Sequence, residues 1–301
     1  MMAAGPAKAA PVTGRLLLAY HACDVAPCND PRQHKVYVAS SGGGRRFEVV
    51  DGWEPYAGSV PDIIRRGDTL YVYTTTQVRR GLRVGDHWLA PEALLLVDEQ
   101  GNRVQGVDLS AIVVDGALVL YFLEGQVGSD PARCPVGSES CTRRFRMAVE
   151  EPGSDGTRFR VRSEPVLEVT IKGQNDSASD PDIFPLWGGG YGLLVSRGMS
   201  FDAFVAESPD GPWTARGSQV RQGGGGVPSG IATRWGYWAY VSARDRDTGI
   251  DGIRRARFRE FGAGIDEASF RWIYPGVWGR ASVSSPSIAL NQPGSPAKTS
   301  P

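Results

Sequence analysis

Between Arg15 and Leu290 the chain alternates short apolar runs with Gly, Pro, Asp and Ser clusters. Period-two alternation bounded by such clusters is the mark of half-buried strands joined by tight turns. Arg15-Leu-Leu-Leu-Ala-Tyr-His21 reads as one strand and Lys35-Val-Tyr-Val-Ala-Ser40 as the next, turning at Ser41-Gly-Gly-Gly44 into Arg46–Val50. Convincing helical periodicity is missing. The most charged candidate, Ile253–Ala268, contains Gly262 and Gly264 and reads better as a hairpin.

The strands recur as a phrase. Ser179-Asp-Pro-Asp-Ile-Phe184, a Gly-rich turn and Tyr191–Ser196 match Val60-Pro-Asp-Ile-Ile64 with Thr69–Tyr73. They also match Val107-Asp-Leu-Ser-Ala-Ile112 with Leu118–Phe122, and Val227-Pro-Ser-Gly-Ile231 with Tyr237–Val241. The spacing is roughly 47 residues with one step of about 72, a period that marks a propeller or solenoid. In the second unit, Ala93–Val97 is expected as the third strand. The two ends complement each other: the N-terminal segment lacks an inner strand, and Val283-Ser-Ser-Pro-Ser-Ile-Ala-Leu290 is an inner strand with nothing after it. Joining them closes a ring and removes open edges. The expected fold is all-β: a five-bladed β-propeller at 15–290, its ring closed by the C-terminal strand pairing into the N-terminal blade. The Ala/Pro/Gly-rich residues 1–14 and the Pro/Ser-rich residues 291–301 are expected as disordered tails.

Composition narrows the function classes. Of 301 residues, 33 are Lys or Arg and 33 Asp or Glu, so formal charge cancels. That balance offers no footprint for nucleic acid and no polybasic membrane patch, and no apolar run approaches the length of a membrane span. The four cysteines fall in two close pairs, Cys23/Cys28 and Cys134/Cys141, without zinc-like spacing. Two local disulfides are the preferred reading, with four free thiols the alternative. Disulfides favour a secreted or periplasmic setting. A monomer is expected. The run Gly223–Gly226 lacks the following Lys and helix of a phosphate-cradling loop.

In a propeller, the starts of the inner strands and the ends of the second strands meet on one face. That rule gathers Asp62, Asp108, Asp180 and Asp182 from the first set, and His21, Glu124 and Arg197 from the second. Asp24, Trp53, Trp88 and Trp278 lie in segments that reach the same face. Carboxylates, bases and aromatic rings around one depression suit a glycoside, since glycosidic cleavage uses one carboxylic acid as proton donor and a second as base or nucleophile. Crowded carboxylates raise one another's pKa and keep the acid protonated. The same short polar residues can instead hydrogen-bond amides of the adjacent blade, and both readings stay open. Trp187, Trp213, Trp235 and Trp238 are expected in blade cores.

At these phrases the chain resembles the arabinanase/levansucrase/invertase group of five-bladed propeller glycosidases. The resemblance implies a carbohydrate-active hydrolase with a carbohydrate or small-molecule ligand and three acidic residues. Its supporting-Asp phrase maps to Asp108, and its acid phrase to Asp180. Its first-blade position falls at Ser284-Ser-Pro-Ser287, which holds no carboxylate, so Asp62 or Asp24 must serve as base. His21, Asp24, Trp53, Trp88, Glu124, Asp182 and Arg197 are then substrate-binding candidates. No cofactor is required; a calcium ion in the channel is compatible with several carboxylates there. A non-catalytic ligand-binding propeller, and a lyase or cyclase on the same fold, are the alternative functions.

Overall fold

In a computed structural model, which describes residues 10–24, 30–125, 131–219, 225–258, 260–274 and 282–292, the chain forms five sheets, antiparallel but for one outer pair in blade three. Each sheet begins with an inner strand: Ser282–Leu290, Asp62–Arg66, Gly106–Val114, Ser179–Pro185 and Gly226–Thr233. Blade one takes that strand from the C-terminus. Leu18 faces Ile288 and Leu16 faces Leu290 across the Leu16–Cys23 strand, which closes the ring as expected.

Alternation along each strand builds the ring. On Ala117–Glu124, Leu118, Leu120 and Phe122 point into the interface with blade two. Val119, Tyr121 and Leu123 point into the interface with blade four. Period-two side chains therefore serve two neighbours at once. The buried apolar residues separate into five clusters, one for each pair of adjacent blades, including blade five against blade one. Because every blade buries both faces, burial rather than local propensity holds the sheets together.

The inner strands are also stitched by a repeated polar bond. Asp62 accepts from the Ala111 amide (2.8 Å), and Ser110 accepts from Ile183 (3.1 Å). Asp182 accepts from Gly230 (2.7 Å), Ser229 from Ile288 (3.0 Å) and Ser287 from Ile63 (3.0 Å). Each blade thus receives one amide of the next, all the way round. Buried amides demand partners, and these five short side chains supply them between inner strands that belong to separate sheets.

Two expectations change. The third strand of blade two is Gln77–Leu82, not Ala93–Val97. Its polar Arg79 and Arg80 hide it in the sequence, yet Arg80 ion-pairs with Glu92 and Asp155, and Arg79 lies over the Trp53 ring. Leu95–Val97 instead runs parallel to Arg158–Val161 on the outer edge of blade three. Helical structure among the described residues is limited to two short 3-10 turns, Pro31–Gln33 and Glu267–Ser269, each capped by an Asp. Residues just before Arg15 are packed rather than free: Val12 is buried against blades one and two, and its amide donates to Val84.

Candidate active site

Two residues before each stitching position, the inner strand carries a non-glycine residue in left-handed backbone: Ser285, Val60, Asp108, Asp180 and Val227, with φ between 45° and 55°. The pairing register slips at this point in blades one, three, four and five. Such bulges re-aim side chains, and a β-branched residue held at positive φ is strained. The two rows do different work. The stitching row points into the blade interfaces, and the bulge row lies two residues upstream, three of its amides held by second-strand side chains.

In the bulge row only Asp108 and Asp180 are acidic, and they occupy neighbouring blades. The Asp180 amide donates to Asp108 Oδ2 (3.4 Å), which brings the two residues together across the blade three–four interface. Equivalent amides elsewhere are held by second-strand side chains of the preceding blade. Val60 donates to His21 Nδ1 (3.4 Å), Val227 to Ser196 Oγ (3.2 Å) and Ser285 to Ser242 Oγ (2.8 Å). At blade four a carboxylate takes that place. The Asp180 carboxylate accepts from the Ser179 hydroxyl (2.6 Å), and exclusion of water pushes its pKa up to about 6. It is therefore half-protonated near pH 6 and keeps about a tenth of its protonated form at pH 7.

The remaining candidates divide. Asp62 does not stand at the site as a free base. It is buried in the stitching row, bound by the Ala111 amide and the Ser287 hydroxyl (2.7 Å), and desolvation raises its pKa to about 6. Asp182 is bound likewise by Gly230 and Ser229, and burial, then the Asp62 charge, raises it further. Asp24 lies on the surface, 3.5 Å from the Lys35 ammonium. Glu124 pairs with Arg146 (3.2 Å) at the end of its strand, opposite Gly106 and two residues along from Asp108. Arg197 is held by both oxygens of Asp176 (2.7 and 2.8 Å) and by Asp202 (3.3 Å), so its charge is already answered.

His21 stacks on His34 with ring centroids 3.9 Å apart, and both are buried. Burial, then the neighbouring His34, lowers the His21 pKa to about 3, so it stays neutral and accepts from the Val60 amide. Trp53 and Trp88 pack edge to face in the blade one–two core, and the Trp53 Nε1–H donates to the Val36 carbonyl (3.0 Å). The contacts that both rings make are packing contacts. Trp187 and Trp235 are the reverse: expected in cores, they stand exposed on turns at the far ends of the inner strands of blades four and five. Trp213 and Trp238 do pack against blade cores.

Cys134 and Cys141 form a disulfide, as expected. Cys23 is also disulfide-bonded, while Cys28 and Trp278 lie outside the described residues, as do Gly223 and Gly224. Among the described residues no group of three or more His, Cys, Asp or Glu could hold a metal ion. No described helix is long and apolar enough to cross a membrane. Sequence reasoning missed Ser179, Ser196 and Ser242; their signal is a serine beside the bulge or at the end of a second strand.

No family model and no curated protein matches the chain. Solved structures do. A family 43 glycoside hydrolase from Xanthomonas citri in complex with xylose superposes with TM-score 0.58 at 17% identity, over 91% of this chain and 92% of that one. An arabinoxylan arabinofuranohydrolase of the same family from Bacillus subtilis, in complex with cellotetraose, gives TM-score 0.57 at 16% identity, over 89% and 66%. A β-xylosidase, RS223, gives 0.54 at 15% identity, over 90% and 95%. At these identities the likeness establishes a shared five-bladed propeller fold.

Proposed function

We propose that the protein is a glycoside hydrolase whose working pair is Asp108 and Asp180. The observation that carries the reading is their placement: adjacent carboxylates on the two acidic bulges of the ring, one with a raised pKa. Asp180 is the acid. It passes its proton to the glycosidic oxygen as the bond from that oxygen to the anomeric carbon breaks. Asp108 is the partner carboxylate and accepts a proton from the water that adds to the anomeric carbon. The base role expected of Asp62 passes to Asp108, because Asp62 already holds two blades together. The fold shared with xylose- and arabinose-processing enzymes supports a pentose-containing glycan as substrate. The Cys134–Cys141 disulfide supports a secreted or periplasmic location. A monomer is consistent with five blades that bury both faces within one chain.

The test is release of reducing ends from a panel of xylosides and arabinofuranosides by the wild type, Asp108→Asn and Asp180→Asn. Each variant is expected to lose about 10²–10⁴-fold in turnover, the usual worth of a positioned acid or base. Full activity in both overturns the assignment. Calorimetric binding of the same sugars without any turnover by the wild type overturns the hydrolase reading in favour of a binding propeller.

A further inference from the structure

Beside the carboxylate pair lies a second feature. A cavity of about 500 Å³ opens next to the Cys134–Cys141 loop of blade three, lined among the described residues by Glu124, Arg133, Cys134, Arg143 and Gln174 with intervening loop residues. Its walls are hydrogen-bonded to the two segments that carry the acids. The Ala178 amide, two residues before Asp180, donates to the Ala132 carbonyl (3.0 Å). Glu124 pairs with Gly106, two residues before Asp108.

One cation on the cavity meets only neutral acceptors among the described residues. Three arginines stand close together on the Ser140–Glu150 strand. Arg144 pairs with Glu168 (3.1 Å) and Arg146 with Glu124 (3.2 Å). Arg143 has no carboxylate partner among the described residues. Its guanidinium donates to the Pro131 carbonyl (2.7 Å) and contacts the Cys141 sulfur (3.0 Å), and its Nε–H is buried without a partner. Arg133, on the same cavity, donates to the Gln174 carbonyl (2.8 Å). Glu124, the acid among the described lining residues, is already answered by Arg146. A part-buried guanidinium offered only neutral acceptors is under-satisfied, and its flat fork suits a carboxylate.

We propose that this cavity binds the carboxylate of an acidic sugar unit, with Arg143 as its principal ligand, so that the preferred substrate is a glycan bearing uronic acid. The assignment rests on the hydrolase reading for its placement beside Asp108 and Asp180, but its binding test does not depend on turnover. Titration calorimetry on the full chain carrying Asp180→Asn would compare xylotetraose with xylotetraose bearing one glucuronic acid. The acidic sugar should bind at least about tenfold tighter at low salt, a gap of about 1.4 kcal/mol, and the gap should narrow at high salt. Adding Arg143→Gln should erase the gap and leave the affinity for the neutral sugar in place. Arg143→Lys should keep part of it and guards against a folding defect. Equal affinities for the two sugars, equal weakening of both by Arg143→Gln, or binding of neither sugar overturns the subsite. Hydrolysis of neutral glycosides by the wild type is read separately, so the catalytic reading and the subsite can fail independently.

Discussion

Asp62 gives the sharpest test of the stitching row. Its carboxylate is buried and bound by two donors, yet exclusion of water still raises its pKa from 3.8 to about 6. A carboxyl whose folded pKa lies above its unfolded value binds more protons folded than unfolded across that window. Its contribution to stability is therefore greatest in acid and falls as pH rises from about 4 through 6. For those two values the contribution drops by about 2 kcal/mol between pH 4.5 and pH 7.5. Asp62→Asn keeps a carbonyl for the Ala111 amide and an amide for Ser287, but cannot ionise. The Asn variant should accordingly gain about 2 kcal/mol on the wild type over that pH range, read from urea unfolding midpoints and slopes at the two pH values. A difference that stays flat with pH, or that moves against the Asn variant, would refute the reasoning. It would mean that the two donors hold the ionised form more strongly than burial opposes it.

Other outcomes follow from the same geometry. Asp62→Ala orphans the Ala111 amide and should cost about 1–3 kcal/mol at pH 4.5, measured by the same unfolding. Gly230→Ala places a Cβ 2.1 Å from the Phe184 ring in the blade four–five interface. It should destabilise by about 1–3 kcal/mol, read as a lower melting temperature. Val60→Asn replaces a β-branched residue at φ 46° with one that tolerates left-handed backbone and should raise stability by about 1 kcal/mol. Cys134→Ser opens the disulfide beside the cavity and should lower the unfolding free energy by about 2 kcal/mol under non-reducing conditions.

The ring was legible because its signal is a repeat. The lone inner strand at Val283–Leu290 and the missing one at the start could only complete each other, and Leu18 does face Ile288. Position within the repeat was harder to read. Asp62, Asp108, Asp180 and Asp182 look alike in sequence, each an acid near the start of an inner strand. A bulge two residues upstream of the stitching position separates them into two rows, and a bulge is a matter of backbone angle that no residue type announces. Val60 and Val227 disguise it further, since valine ordinarily avoids that conformation. The third strand of blade two was hidden for another reason. Arg79 and Arg80 read as surface until their partners, far off in sequence, are known: Trp53 for one and Asp155 for the other. The exposure of Trp187 and Trp235 was likewise invisible, because a turn and a strand end look the same beside glycine.

The account turns on Asp180 acting as a proton donor that is half-charged near pH 6. The direct measurement is the pH dependence of kcat/KM on the best glycoside found. A free-enzyme acid with pKa about 6 predicts activity that falls as pH rises through that value, by about tenfold per pH unit above it. Activity that stays constant from pH 5 to pH 8, at about the same level throughout, would show that no such donor limits the reaction and would contradict the role given to Asp180.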